Sequence, residues 1–102
     1  MRAAAVVTCV GSLTSATLRL ASADAESRSS GREDTRTWTR RFEIVSLVGT
    51  LGSSDGGAFC HLHLSLADEE GCTIGGHVMG DCRVFTTAEV VLVECDDLVF
   101  AR

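Results

Sequence analysis

The chain contains no lysine, proline, tyrosine, asparagine or glutamine, and aromatic residues make up only 5% of it. All nine basic residues are therefore arginines, set against fourteen acidic ones for a net charge of −5. That balance supplies no general attraction to phosphate backbones or anionic lipid, so no membrane partner is expected. No apolar run reaches the roughly 18 residues that cross a bilayer as a helix. The five cysteines form no C-x-x-C pair and leave an odd count, which argues against a disulfide framework or a zinc ribbon. The G-x-S-x-G, P-loop and dinucleotide fingerprints are missing too, so the common enzyme signatures fail.

What is present fits one domain spanning residues 1–102, with an ordinary 45% hydrophobic and 23% charged content. A chain near 100 residues buries about two-thirds of its unfolded surface, enough for one modest core. Met1 to about Ala23 is small and apolar, and Asp24 to about Arg40 is polar and charged. Arg41–Arg102 is rich in Val, Leu, Ile, Phe and Thr, a sheet composition. Arg2, Ala3–Val10 and Ala21-Ser22-Ala23 imitate a signal peptide. Gly11, Ser12, Thr14 and Ser15 break its apolar region, and a strand pair joined near Gly11–Ser15 explains the same residues. An intracellular location, cytoplasmic or nuclear, is therefore expected.

Arg28, Arg32, Arg36 and Arg40 recur every four residues, but Gly31 and the Ser/Thr content weaken any helix. The stretch reads as a solvated loop, with Trp38 the residue expected to dock on the body. Arg41–Leu51 and Arg83–Cys95 carry apolar residues on both alternating faces, as strands covered on both sides or by a partner subunit do. Phe59–Ala67 alternates cleanly: Cys60, Leu62, Leu64 and Leu66 share one face, His61 and His63 the other. Cys72–Met79 and a short Leu98–Ala101 complete the expected strands. Cys9, Cys72, Cys82 and Cys95 are expected as small buried hydrophobes rather than nucleophiles.

All three histidines, His61, His63 and His77, fall within a 17-residue window. The connection Asp68-Glu69-Glu70-Gly71 has Asp at the first and Gly at the fourth place of a type I turn. With Gly71 left-handed it makes a three-residue loop ending in a G1 bulge. That geometry pairs Asp68 with Cys72 and sets His63 opposite His77, on one face with Cβ atoms about 4.5–5.5 Å apart. A loop one residue shorter or longer would send His77 to the other face. Converging neutral imidazoles suit a divalent transition metal, zinc above all, with one open position for water or for a carboxylate from Glu89 or a neighbouring chain. Gly75 and Gly76 beside His77 would let backbone or ligand approach closely.

Five strings, VVTCVGSLTSATLRLA (Val6–Ala21), RRFEIVSLVGTL (Arg40–Leu51), HLHLSLADEEG (His61–Gly71), IGGHV (Ile74–Val78) and VFTTAEVVLVE (Val84–Glu94), resemble the PPC domain, the "plants and prokaryotes conserved" domain. The resemblance spans nearly the whole chain except about Ser22–Thr39, which looks like an insertion. It implies an α+β fold, mainly antiparallel β-sheet with little helical cover, that assembles as a homotrimer. In plants the domain follows an AT-hook in nuclear DNA-binding proteins; the His-bearing pattern here is similar to the prokaryotic branch. There the equivalents of His61, His63 and His77 are implied as metal ligands, and Arg19 and Glu89 match family positions with an accessory polar role. An AT-hook needs an R-G-R-P core, and only Gly31-Arg32 remains of it, so direct DNA binding by this chain is not expected. Against the family pattern the chain looks shortened at both ends, which would expose core surface and sheet edges.

The reading is a non-enzymatic oligomerisation and interaction module with a three-histidine metal site, and no sequence feature names a substrate, a small-molecule ligand or a protein partner. Two rivals come from other classes. H-x-H on a strand also occurs in cupin-like metal enzymes, whose companion motif with Pro and a distant His is missing. A DNA-associated regulator acting without an AT-hook is the other.

Overall fold

The computed structural model describes residues 2–21 and 34–100. Four strands follow one another: β1 (Ala3–Arg19), β2 (Thr35–Ser54), β3 (Gly57–Ala67) and β4 (Thr73–Glu94). All neighbours run antiparallel, and β4 returns to β1, so the order β1-β2-β3-β4 closes into a barrel. Among the described residues there is no helix, so the helical part of the α+β expectation is not met. The sheet part is.

Three expected breaks are not breaks. β1 runs unbroken through Gly11–Ser15 and pairs with β2 on one edge and β4 on the other. Register shifts around Leu13 mark β-bulges there, and small residues serve a bulge as well as they serve a turn. Cys72–Met79 and Arg83–Cys95 belong to the single strand β4, which bulges at Gly80 and Asp81, both with positive φ. The Ser15 hydroxyl donates to the Asp81 carbonyl across that bulge at 3.4 Å. Thr35–Arg40, expected in the solvated loop, opens β2, with Thr35–Thr39 pairing with Arg19–Ser15 of β1. Its β-branched Thr35, Thr37 and Thr39 favour a pleated strand, and the hydroxyls of Thr17 and Thr37 meet at 2.9 Å. The rest of the polar stretch, residues 22–33, lies outside the described residues. Leu98–Phe100, expected to be a strand, pairs with nothing in the barrel, and Ala101 lies outside the described residues.

The core forms where alternation is cleanest. Leu13, Ala16, Leu18, Phe42, Leu64 and Leu66 are buried together, and Trp38, Ile44, Leu47, Ile74, Val78 and Cys82 pack around them. Trp38 thus docks as expected. Leu18 and Leu66 are the largest fully buried side chains. Cys9 is buried, and burial pushes its thiol up from the ordinary value. Cys82 and Cys95 are half-buried, whereas Cys72 is exposed next to the β3–β4 turn, contrary to the expectation of burial. Cys9, Cys72, Cys82 and Cys95 carry free thiols.

Candidate metal centre

The site starts at the turn. The Asp68 amide donates to the Cys72 carbonyl and the Gly71 amide to the Asp68 carbonyl, each at 2.9 Å. Gly71 has φ +84, the left-handed conformation that closes a G1 bulge. The Asp68 carboxylate accepts from the Glu70 and Cys72 amides at 2.9 Å and from Arg40 at 3.3 Å. Burial alone would raise its carboxyl; the two amides and the Arg40 guanidinium favour the charged form and bring it below the usual value. The three-residue loop is the expected one, and the register behind it follows: Ala67 faces Thr73, Leu66 faces Ile74, and His63 faces His77.

The three imidazoles therefore meet on one face. Their ring centroids lie 5.1 to 5.3 Å apart, at interplanar angles of 53°, 54° and 84°. One potential ligand atom from each of His61, His63 and His77 lies within 4.8 Å of the others. The Nε2 atoms of His61 and His63 face each other at 3.3 Å. Zn–N bonds of about 2.0–2.1 Å place tetrahedral ligand nitrogens about 3.3–3.4 Å apart, so this pair already has the spacing of two ligands to one ion. His61 and His63 are exposed and His77 is half-buried, so side-chain rotation can close the remaining gap with the backbone in place. The donor set fits a divalent transition metal.

The other strands fix what surrounds the cluster. Arg19, the last residue of β1, pairs with His77, and Val48 of β2 pairs with His63. Arg19, His77, His63 and Val48 thus form one cross-strand row, with Thr50 beside it opposite His61. Arg19 is brought beside the histidines. Glu89 is not: it pairs with Val10, nine positions along β1 from Arg19, or on the order of 30 Å at the usual strand rise. Gly75 and Gly76 do permit close approach, since a Cβ would lie 3.0 Å from the Leu64 carbonyl oxygen in one case and 2.7 Å from that of Arg19 in the other.

Sequence reasoning missed Thr50, Phe59, Val99 and Phe100, which line a cleft with Arg19, His61 and His77. Thr50 and Phe59 were in principle legible, because the β2–β3 hairpin turns at Asp55-Gly56 between the paired residues Ser54 and Gly57, and Asp-Gly is a strong hairpin signal. Counting back from it pairs Thr50 with His61. Val99 and Phe100 arrive from beyond β4, and no local pattern announces them.

Comparison with known proteins places this arrangement. The family model of the Plants and Prokaryotes Conserved (PCC) domain matches residues 1–96. Over all 102 residues the chain is 40% identical to the bifunctional protein GlmU of Synechococcus sp., of which it spans only 14%. It is also 40% identical to a hypothetical protein of Salmonella cholerae-suis of known structure, with a TM-score of 0.82, covering 100% of this chain and 64% of that one. A plant- and prokaryote-conserved (PPC) protein of Pyrococcus horikoshii superposes with a TM-score of 0.74 at 27% identity, covering 90% of this chain and 59% of that one.

Proposed function

The chain belongs to the Plants and Prokaryotes Conserved (PCC) domain family, and on that premise we propose that it is a homotrimeric interaction module holding one divalent metal ion, zinc, on His61, His63 and His77. The observation that carries the metal is the convergence of three imidazole ligand atoms within 4.8 Å. A zinc ion bound by three histidines keeps a fourth position open and can act there as a Lewis acid. Within the chain, the turn at Asp68–Cys72 holds His63 opposite His77, and the H-x-H spacing brings His61 to the same face. Glu89 would join such a centre only from a neighbouring subunit.

Assembly is supported by what the barrel leaves bare. Val90, Val91, Leu92 and Val93 are consecutive on β4 and each stays 42–52% exposed, so both faces of the strand show apolar surface. β4 pairs with β3 only over Thr73–His77, so among the described residues its remaining length has β1 as its one neighbour. Contiguous apolar surface of this kind marks an interface. Direct DNA binding is not part of the proposal, given the net charge of −5.

The test is metal content and mass on one sample purified without added metal. We expect about one zinc ion per chain and a trimeric mass by light scattering. His63→Ala should lose the zinc and keep the fold. Zinc-free wild-type protein, or unchanged content in the variant, defeats the metal; a stable folded monomer at micromolar concentration defeats the trimer.

A further inference from the structure

The cleft beside the histidines, of about 570 Å³, has a mixed lining: Arg19, Thr50, His61 and His77 supply its polar part, and Phe59, Val99 and Phe100 its apolar part. Arg19 pairs directly with His77 across β1 and β4, so its side chain leaves the sheet on the face that carries the imidazoles. The guanidinium and the metal position would thus present positive charge to the same space. Resting on the metal centre proposed above, we propose that this cleft binds a small organic carboxylate.

The choice of ligand follows from the chemistry of the lining. A carboxylate has two oxygens, one for the open metal position and one for the guanidinium, whose planar fork matches carboxylate geometry. Its organic body then lies against Phe59, Val99 and Phe100, where apolar contact is favourable. Inorganic phosphate carries oxygen on every side and would turn some of it to that apolar part without a partner, at a cost. Acetate would satisfy the polar part and leave the apolar one unused. An aromatic monocarboxylate such as benzoate uses both.

Cobalt(II) loaded in place of zinc reports its own ligands through visible absorption, which gives a readout independent of any activity. We expect benzoate to change the spectrum of the cobalt protein saturably, with acetate and phosphate each about tenfold weaker or more. Arg19→Gln should start from the wild-type cobalt spectrum and bind benzoate about tenfold more weakly. Failure of the wild type to take up cobalt or zinc sinks the metal centre and this ligand with it. Cobalt uptake with a spectrum indifferent to benzoate overturns the carboxylate site and leaves the metal centre standing. Equal binding of acetate and benzoate, or of benzoate by wild type and Arg19→Gln, also overturns it. Should Arg19→Gln fail to fold, Phe59→Ala replaces it: benzoate must weaken while acetate does not, and any other result counts against the proposal.

Discussion

Single residues carry the register on which the site depends. Gly71 sits at φ +84 with open space where a Cβ would project, so replacing it tests conformation without steric conflict. Gly71→Ala should cost about 1 kcal/mol, the penalty of a left-handed L-residue, and Gly71→Asn less, because Asn tolerates that region. Denaturant unfolding of the two variants beside wild type measures both. Asp68 contributes through its charge. Its carboxyl lies below the ordinary value in the folded chain, so its stabilisation is present above the unfolded carboxylate range and is lost as pH falls through the lowered value. The melting-temperature gap between wild type and Asp68→Asn should therefore be widest near neutral pH and narrow as pH falls through and below the ordinary carboxylate range. A gap that is constant with pH would show that the charge of Asp68 does not hold the turn.

At the scale of elements, the β3–β4 hairpin converts turn length into site geometry. One extra glycine inserted between Thr73 and Ile74, behind an unchanged Asp68–Cys72 turn, moves His77 one place along the strand and turns it to the opposite face while His61 and His63 stay. Zinc content should then fall well below one per chain in a protein that still folds, and retention of stoichiometric zinc would show that His77 is not a ligand. This hairpin was legible in the sequence because every term in it is local: an Asp and a Gly three residues apart, a period-two strand before them, and histidines counted from the turn. β1 and β4 were each misread as two pieces for the opposite reason. Gly11–Ser15 and Gly80–Asp81 carry turn chemistry, but each lies in a strand held straight through by partners more than sixty positions away in the chain. A bulge and a turn use the same residues, and only the non-local ladder decides between them. Thr35–Arg40 was read as loop on its charge, whereas pairing of Thr35–Thr39 with Arg19–Ser15 makes it strand.

For the whole molecule, the question is how so thin a core is stable. Its radius of gyration is 14.9 Å, against about 13 Å for a compact chain of 100 residues. Its extents of 42 × 37 × 18 Å describe a flattened barrel. Association would cover the bare face of β4, and an aspartate at Val91, 52% exposed, would put a charge there that is costly to bury. Val91→Asp should therefore reduce the mass measured by light scattering to that of a single chain and lower the melting temperature. The two proposed properties need not fall together. His61, His63 and His77 all come from β3 and β4 of one chain, so zinc content per chain should survive the loss of assembly. Dilution of wild-type protein makes the same comparison without a substitution, should Val91→Asp prove too unstable to isolate. If zinc leaves in step with the drop in mass under either treatment, a ligand must come from the neighbouring subunit, and the centre is an interface rather than a property of the hairpin.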